Sequence, residues 1–346
     1  MSLVKCVVWD LDETVWPGVA IESDAIPEPH AHVLALLDEL EHRGVVSSVA
    51  SRSDPALADA LPGVPGLAGR FVAAQVGWEP KSDAIRRIAG TLGIGLDAVA
   101  FVDEDRFHRA EVAHALPEVD VLSVDELASA LGRDGERFPT PSRLTDEGRR
   151  RPAMYRDEAR RRRAEAGFAG GHEEFLRRCG MRLEVGPARP GDLDRLAELA
   201  ERTHRLNSTA RRHGREDVAR WLEAGWLARA RLADRFGDHG LIGLVAAERP
   251  AAPGDWRVEL LAVSCRVDGR GVPAALLRWT MDGARAAGAG GLRALYRPNG
   301  KNVRLAVLLR QLGFARAGAE GETVVLRRPL AGDLPPYPDW LEIVAG

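Results

Sequence analysis

The strongest constraint on the fold lies near the amino terminus, where an apolar run ends in two acidic residues. Residues Cys6 to Asp10 have the length and composition of a buried strand, and Asp12 follows two positions later. This spacing directs both carboxylates to the same side, where the chain leaves the sheet. Two such carboxylates can hold Mg²⁺, and one can attack phosphorus while the other moves protons. For the pair alone, an acidic surface turn is the alternative.

Three later segments each bring a phosphate- or cation-binding group to an expected strand or helix end. Ser51 and Arg52 follow a second apolar strand, Lys81 opens a helical stretch, and Asp103 follows a third apolar strand. A hydroxyl and backbone N–H groups before a helix suit a phosphate oxygen, and a lysine supplies a mobile positive charge. A serine is often only a cap and a lysine only a surface charge. Their order nevertheless predicts one phosphoryl-transfer site.

This series of motifs resembles the haloacid dehalogenase superfamily of phosphatases and phosphotransferases over roughly the first third of the chain. The resemblance implies that Asp10 is the nucleophile that becomes an aspartyl phosphate and that Asp12 is the general acid/base. It also implies further site residues, namely Thr14, Ser51, Arg52 and Lys81 for phosphate and Asp10, Asp12 and Asp103 for Mg²⁺. Glu104 stands where an aspartate is more usual.

The connection after the first motif is short. About thirty residues separate Thr14 from the second strand, and much of this is one helix expected over 29–43. This leaves no room for a large cap domain, which in other enzymes excludes water on closing. The site is therefore expected to accept bulky substrates or to borrow a lid from elsewhere in the chain.

Composition limits the remaining possibilities. A length of 346 residues predicts two domains, and a net charge of −3 with mixed acids and bases argues against nucleic-acid binding. The arginine runs at 149–151 and 160–163 are interleaved with acids and are interpreted as solvated helix faces. No apolar run approaches the roughly 18 residues of a membrane span, so no membrane association is expected. Three cysteines without metal-ligand spacing predict a reducing, cytoplasmic location.

Strands and helices alternate over residues 1–131, which predicts a parallel sheet with helices on both faces. Residues 132–179 read as linker and connecting helices, 180–330 as a second α/β domain, and 331–346 as a C-terminal tail. In the first domain the expected strands are 6–10, 45–50, 71–74, 99–102 and 119–123.

In the second domain, a strand expected over 256–264 leads through a glycine-bearing loop into a helix expected over 274–287. Glycines allow backbone N–H groups to crowd an anion at a helix start. The order of elements resembles the GNAT acyltransferase fold, and it implies that Arg266, Gly269 and Gly271 belong to its pyrophosphate loop. Leu309 stands where acetyltransferases often carry a tyrosine acid.

Together the two halves resemble the FkbH-like family, haloacid dehalogenase subclass IIIC. The resemblance is carried by residues 78–81, by residues 234–240 and by the Ser264-Cys265-Arg266 start of the glycine loop. It implies a Rossmann-like domain followed by a GNAT-like domain. Family members take a phosphorylated three-carbon acid, typically 1,3-bisphosphoglycerate, and leave a dephosphorylated glyceryl thioester on the phosphopantetheine arm of an acyl carrier protein. Cys265 would carry the acyl group between donor and carrier.

The residues around Cys265 suit this chemistry. A thiolate is the best protein nucleophile for an acyl phosphate, and Arg266 and a helix amino terminus stabilise a thiolate. His239, on the neighbouring strand pair, is the candidate base. A buried structural cysteine and a loop histidine are the alternatives. Asn207 and Thr209 are candidate groups for binding the acyl group or the pantetheine arm, with helix caps as the alternative.

The sequence therefore predicts a bifunctional acyltransferase/phosphatase of polyketide or nonribosomal peptide biosynthesis that uses Mg²⁺. Two alternatives remain open. One is a Mg²⁺-dependent small-molecule phosphatase whose second domain serves only as a lid or docking module. The other is a non-catalytic partner of an assembly-line subunit.

Overall fold

The structure is a computed structural model that describes residues 3–23, 25–133, 137–140, 145–203, 205–250 and 254–346. The chain divides into two compact units, Met1–Arg163 and Ala164–Gly346, and each is α/β as predicted. The division falls within the predicted linker, inside one helix. Among the described residues, no helix combines the length and the apolar character that crossing a bilayer requires.

The first unit has one sheet flanked by helices. Its strands are β1 (Cys6–Trp9), β2 (Val46–Ser51), β3 (Gln75–Val76), β4 (Val99–Val102) and β5 (Asp120–Leu122). Its helices are α1 (Ala31–His42), α2 (Ala56–Ala60), α3 (Lys81–Leu92), α4 (Arg106–Ala115), α5 (Val124–Leu131) and α6 (Asp146–Ala166), the last of which continues past the division.

The sheet of the first unit is parallel throughout, with the strand order β3-β2-β1-β4-β5. Alternate residues of β1 enter opposite cores: Cys6 and Val8 pack on one face, and Val7 and Trp9 pack on the other. All four are buried, which explains why this strand reads as a continuous apolar run. The predicted parallel sheet with two covered faces is confirmed.

The order of strands also fixes where a ligand can bind. β1 is central, with β2 on one side and β4 on the other, so the topology reverses at β1. In such sheets ligands bind beyond the carboxyl ends of the strands at this reversal. Between β1 and β2, the described residues form only a short 3₁₀ helix, Ala20–Glu22, and α1. The described part of this connection contains no large cap, as the sequence predicted.

The strand predicted over residues 71–74 is wrong. Phe71 forms only an isolated bridge with Ser47, and β3 begins later, at Gln75. Ala73 has a φ of 53°, in the left-handed region, so the extended backbone is interrupted before the strand starts. The apolar composition of this stretch gave no sign of that turn.

The second unit has one larger sheet. Its strands are β6 (Met181–Pro187), β7 (Trp226–Asp234), β8 (Gly237–Glu248), β9 (Trp256–Val263), β10 (Gly291–Tyr296), β11 (Ala315–Glu320), β12 (Thr323–Pro329) and β13 (Leu341–Ala345). Its further helices are α7 (His172–Arg178), α8 (Leu193–Arg202), α9 (Arg215–Ala224), α10 (Val272–Ala286) and α11 (Val303–Gln311). The strand order is β11-β12-β10-β9-β8-β7-β6-β13.

Both faces of this sheet are covered. Along β8, Ile242 and Val245 pack in the core that contains α10, whereas Leu241 and Leu244 pack in the core that contains α8 and α9. The segment expected to be a C-terminal tail contains β13, which pairs in parallel with β6. Leu341 is buried there, so this last strand covers the edge that β6 would otherwise expose.

Candidate functional site

Lys81 joins two buried carboxylates at the carboxyl edge of the first sheet. Its Nζ lies 2.8 Å from Oδ1 of Asp10 and 2.5 Å from Oδ2 of Asp103. Asp10 follows β1, Asp103 follows β4, and Lys81 is the first residue of α3, so three elements meet at this point. All three side chains are buried. One ammonium group faces two carboxylates, which leaves a net negative charge in the site when both are ionised.

Burial and neighbouring charges shift the pKa of Asp10, and hydrogen bonds hold Asp103 in place. Burial raises the pKa of Asp10, Lys81 opposes that shift and the charge of Asp103 adds to it, so the net direction is upward. Asp103 is fixed in orientation because its Oδ1 accepts a hydrogen bond from the Asp105 backbone N–H at 2.8 Å. Its carbonyl oxygen accepts from Arg109 Nη1 at 2.6 Å. A rigid, negatively charged pocket of this kind attracts a cation.

The donor atoms suit a divalent metal ion. Carboxylate oxygens of Asp10 and Asp103 and a ring nitrogen of His108 lie within 4.8 Å of one another. Mg²⁺ prefers oxygen ligands, and two buried carboxylates that share one ammonium group lack a full countercharge, so the residues fit Mg²⁺. His108 lies on the first turn of α4, with Nδ1 3.5 Å from Oδ2 of Asp103. Sequence reasoning missed His108, although its position one turn after Asp105 was a signal.

Asp12 is held by its own loop. Its Oδ1 accepts hydrogen bonds from Trp16 Nε1 and from the Ala20 backbone N–H, both at 2.9 Å. Among the described residues, its side chain is not part of the donor cluster formed by Asp10, Asp103 and His108. The metal-ligand role of Asp12 therefore stays a prediction, as does its role as acid/base. The loop contacts fix the direction of its second oxygen.

Ser51 stays a candidate phosphate ligand. It ends β2 and is buried, and its Oγ finds no hydrogen-bond partner among the described residues. An unpaired buried hydroxyl is costly, so a phosphate oxygen there would satisfy it. Arg52 follows and is exposed. Thr14 is buried, and its Oγ1 accepts from the Glu104 backbone N–H at 3.2 Å, which joins the loops after β1 and β4.

Glu104 is directed elsewhere. Its Oε1 accepts a hydrogen bond from the Val124 backbone N–H at 2.7 Å, at the first residue of α5. A carboxylate at a helix amino terminus is favoured by the helix dipole. Glu104 therefore stabilises the start of α5, and Asp103 supplies the carboxylate of the buried cluster.

Three large apolar side chains of the first unit are exposed to solvent. The large apolar side chains of Ile21, Trp78 and Phe107 are 55%, 60% and 69% exposed. Each lies in a segment that follows the carboxyl end of a strand, β1, β3 or β4 respectively. Exposed apolar side chains favour contact with another molecule. We call these three residues the apolar rim.

In the second unit, Cys265 lies two residues after the end of β9. It begins a short 3₁₀ turn, Cys265–Val267, and is half-buried, whereas Cys6 and Cys179 are buried. Both of its neighbours contact β8. The Ser264 backbone N–H donates to the Ile242 carbonyl at 2.7 Å, and Arg266 Nη2 donates to the His239 carbonyl at 3.5 Å. The thiol-bearing residue is thus held beside the start of β8.

His239 belongs to a buried charged cluster with Asp234 and Arg270. Its Nε2 lies 3.0 Å from Oδ2 of Asp234 and 3.0 Å from Nη1 of Arg270, and Arg270 Nη1 lies 3.2 Å from the same Asp234 oxygen. Burial alone would raise the pKa of Asp234. The hydrogen bond and charge of His239 and the charge of Arg270 together lower it by more, so the pKa of Asp234 lies below its usual value. Asp234 is therefore a carboxylate that holds the imidazole.

The backbone positions His239 by an irregularity in the strand pair. Leu232 pairs with Gly240 and Ala233 pairs with Asp238, so His239 is an extra residue in β8. Gly240 has a φ of 68°, in the left-handed region. Such bulges re-aim a side chain and are frequent beside active sites. The sequence indicated His239 but not the bulge, nor the partners Asp234 and Arg270.

The glycine loop has the predicted place between strand and helix. Gly269 and Gly271 have φ values of 81° and 84°, which L-residues rarely adopt. A Cβ on Gly271 would lie 2.8 Å from Cγ of Pro338, so the loop is packed against the C-terminal segment. Trp340 Nε1 donates to the carbonyl of Arg270 at 3.0 Å. Both glycines are therefore required by backbone geometry.

Asn207 and Thr209 organise their own loop. Asn207 is buried, and its Nδ2 donates to the carbonyl oxygens of Thr203 and Arg211. Its Oδ1 accepts from the backbone N–H and the hydroxyl of Thr209. These contacts use the amide fully, and one of them is to the carbonyl of Thr203, the residue that caps the end of α8. His204, in the same segment of the sequence, lies outside the described residues.

The chain was compared with known proteins. No family model matches it, and no curated protein matches it. Many solved structures are similar to parts of it, and three are described here. The N-terminal part of a Bacteroides fragilis protein, which contains a phosphatase domain and is complexed with Mg, is 25% identical, with a TM-score of 0.35 over 40% of this chain and 42% of that chain. The chain thus spans less than half of that structure.

The other two are acetyltransferase structures. The ribosomal-protein-S18-alanine N-acetyltransferase from Escherichia coli is 15% identical, with a TM-score of 0.35 over 44% of this chain and 96% of that chain. The GNAT domain of S. lividans PAT is 22% identical, with a TM-score of 0.35 over 42% of this chain and 89% of that chain. At these identities and TM-scores, neither structure supports an activity for this chain. Any proposed activity therefore depends on the residues of the chain itself.

Proposed function

We propose that this protein is a bifunctional acyltransferase and phosphatase. It loads a small acyl group onto an acyl carrier protein and removes a phosphate from that acyl group. One observation carries the proposal: a single chain holds two reactive centres. The first is a buried carboxylate–lysine cluster at a parallel-sheet edge. The second combines the half-buried Cys265 with a buried histidine–aspartate pair, and the two are linked by Arg266, which donates to the His239 carbonyl.

In the phosphatase reaction, the carboxylate of Asp10 attacks phosphorus and the bond to the ester oxygen breaks. Asp12 gives a proton to the leaving oxygen, and water then hydrolyses the aspartyl phosphate. Ser51 and Lys81 hold the phosphate oxygens. Mg²⁺, held by Asp10 and Asp103, would neutralise phosphate charge. The unsatisfied Ser51 hydroxyl and the uncompensated charge around Lys81 support this assignment.

In the transferase reaction, the Cys265 thiolate attacks the carbonyl carbon of an acyl phosphate. A carbon–sulfur bond forms, the carbon–oxygen bond to phosphate breaks, and phosphate leaves. The thiol of the carrier's pantetheine arm then attacks the thioester, and the Cys265 thiolate is released. His239 accepts the proton from each attacking thiol. The contacts of Ser264 and Arg266 with β8 support this pairing of Cys265 with His239.

The chemistry of the two centres suggests the donor. A three-carbon acid with an acyl phosphate at one end and a phosphate ester at the other, such as 1,3-bisphosphoglycerate, offers one group to each centre. The product would be a glyceryl thioester, as in polyketide or nonribosomal peptide assembly. The described residues between β1 and β2 form no large cap, and this and the exposed apolar rim suit a substrate carried on a large partner.

The test is intact-protein mass spectrometry after incubation with 1,3-bisphosphoglycerate generated in situ, Mg²⁺ and a holo carrier protein. We expect a mass gain on the enzyme and on the carrier, both lost in Cys265→Ala. Cys179→Ala is the matched control, because Cys179 is a buried cysteine of the same unit. Phosphate release that persists in Cys265→Ser without acylation of either protein would favour the alternative, a Mg²⁺ phosphatase whose second unit is a lid or docking module.

A further inference from the structure

The Asp234–His239–Arg270 cluster decides which imidazole nitrogen of His239 can accept a proton. The side chains of Asp234, His239 and Arg270 are 0%, 3% and 1% exposed, so water does not compete for their hydrogen bonds. Nε2 of His239 lies at 3.0 Å from a carboxylate oxygen and from a guanidinium nitrogen at once. It can donate to the first or accept from the second, but not both.

The charged acceptor favours donation. Hydrogen bonds to an ionised carboxylate are roughly twice as strong as neutral ones. If Nε2 lacked its proton, its lone pair would face Oδ2 of Asp234 with no hydrogen between them. If Nε2 carries the proton, Arg270 can still donate to the same oxygen, 3.2 Å away. Asp234 is held for this task, since its Oδ1 accepts from the backbone N–H groups of Phe236 and Gly237.

The same cluster ties the thiol loop to His239. The loop begins at Cys265, and Arg266 next to it donates to the His239 carbonyl. It ends at Arg270, which contacts the imidazole itself. Both ends of the loop therefore contact one histidine, through its carbonyl oxygen and through Nε2 of its ring.

We infer that Asp234 is a positioning residue that holds His239 in the Nε2–H tautomer, so that Nδ1 accepts the proton of Cys265. Asp234 itself does not touch the acyl group. The inference rests on the proposed transferase function for its purpose, but its geometry and its test need no acyl donor.

The direct test is nitrogen NMR of the full chain labelled in its histidine rings, with the His239 signals assigned by their loss in His239→Gln. We expect the wild type to carry its proton on Nε2 and Asp234→Asn to lose that preference. A wild-type proton on Nδ1 would overturn the inference. This readout also remains decisive if Asp234→Asn does not fold.

A second test follows the alkylation rate of Cys265 by iodoacetamide at pH 7. In Asp234→Asn we expect a decrease of roughly tenfold or more, as in His239→Gln. Asp238→Asn, a neighbouring carboxylate that bonds the Gly240 backbone N–H, should stay within about twofold of the wild type. Buried Cys179 reports unfolding. An unchanged rate in a folded Asp234→Asn contradicts the inference, whereas a slowed rate without any acyl adduct contradicts only the proposed function.

Discussion

Replacing Lys81 by methionine should destabilise the first unit strongly, because the Lys81 ammonium group forms ion pairs with the carboxylates of both Asp10 and Asp103. Oxygens of the two carboxylates lie within 4.8 Å of each other, and at an effective dielectric constant of 20 their repulsion is about 3.5 kcal/mol. Removing one partner of a buried ion pair typically costs about 3–5 kcal/mol. We therefore expect a loss of about 3–5 kcal/mol in unfolding free energy without divalent metal.

The assay is urea denaturation with and without Mg²⁺. A bound divalent cation would replace the missing charge, so Mg²⁺ should stabilise Lys81→Met more than it stabilises the wild type. Arg86→Met is the matched control, because Arg86 lies on the same helix in an exposed pair with Asp83 and should cost less than about 1 kcal/mol. A Lys81→Met loss as small as that of the control would refute the argument, as would equal stabilisation of both proteins by Mg²⁺.

Three further expectations can be measured by phosphate binding or unfolding. Ser51→Ala should weaken the binding of inorganic phosphate, measured calorimetrically, and unchanged affinity would argue against Ser51 as a ligand. The substitution should not lower stability, because it removes a buried hydroxyl that has no hydrogen-bond partner among the described residues. Gly271→Ala should cost about 2–5 kcal/mol in urea unfolding, since backbone strain adds to the clash with Pro338. Gly288→Ala, with a similar φ but open space, should cost only about 1–2 kcal/mol. Burial lowers the pKa of His213, so the unfolded chain binds a proton at this histidine more readily than the folded protein does. Thermal stability should therefore fall as the pH drops below about 6.5, and it should fall less in His213→Gln.

Site residues could be predicted from the sequence where a local pattern marks the end of a strand or helix and that end also lies at the site in the fold. The Asp10 strand, the helix at Lys81 and the loop at Gly269 each combine an element end with a residue type that the geometry requires. Strands β11 to β13 were not predicted. The residues of β11 are exposed, and β13 is stabilised by pairing with β6, which a local pattern does not show.

Within the candidate site, the partners that act across the fold were missed. His108 approaches Asp103 only because α4 starts beside β4, and Arg270 reaches Asp234 only because the loop after β9 turns back onto the β7–β8 hairpin. In the sequence, Arg270 lies between Gly269 and Gly271, and an arginine in a glycine loop is equally consistent with binding a phosphate group. Its burial against His239 became visible only in three dimensions.

The most direct test of the account asks whether both centres act on one acyl group. The mass of the group attached to Cys265 or to the carrier should be compared between wild type and Asp10→Asn, with 1,3-bisphosphoglycerate as donor. We expect glyceryl with the wild type and phosphoglyceryl, with its phosphate retained, with Asp10→Asn. Glyceryl in both proteins would contradict a phosphatase role for Asp10, and no acyl group in either would contradict the transfer itself.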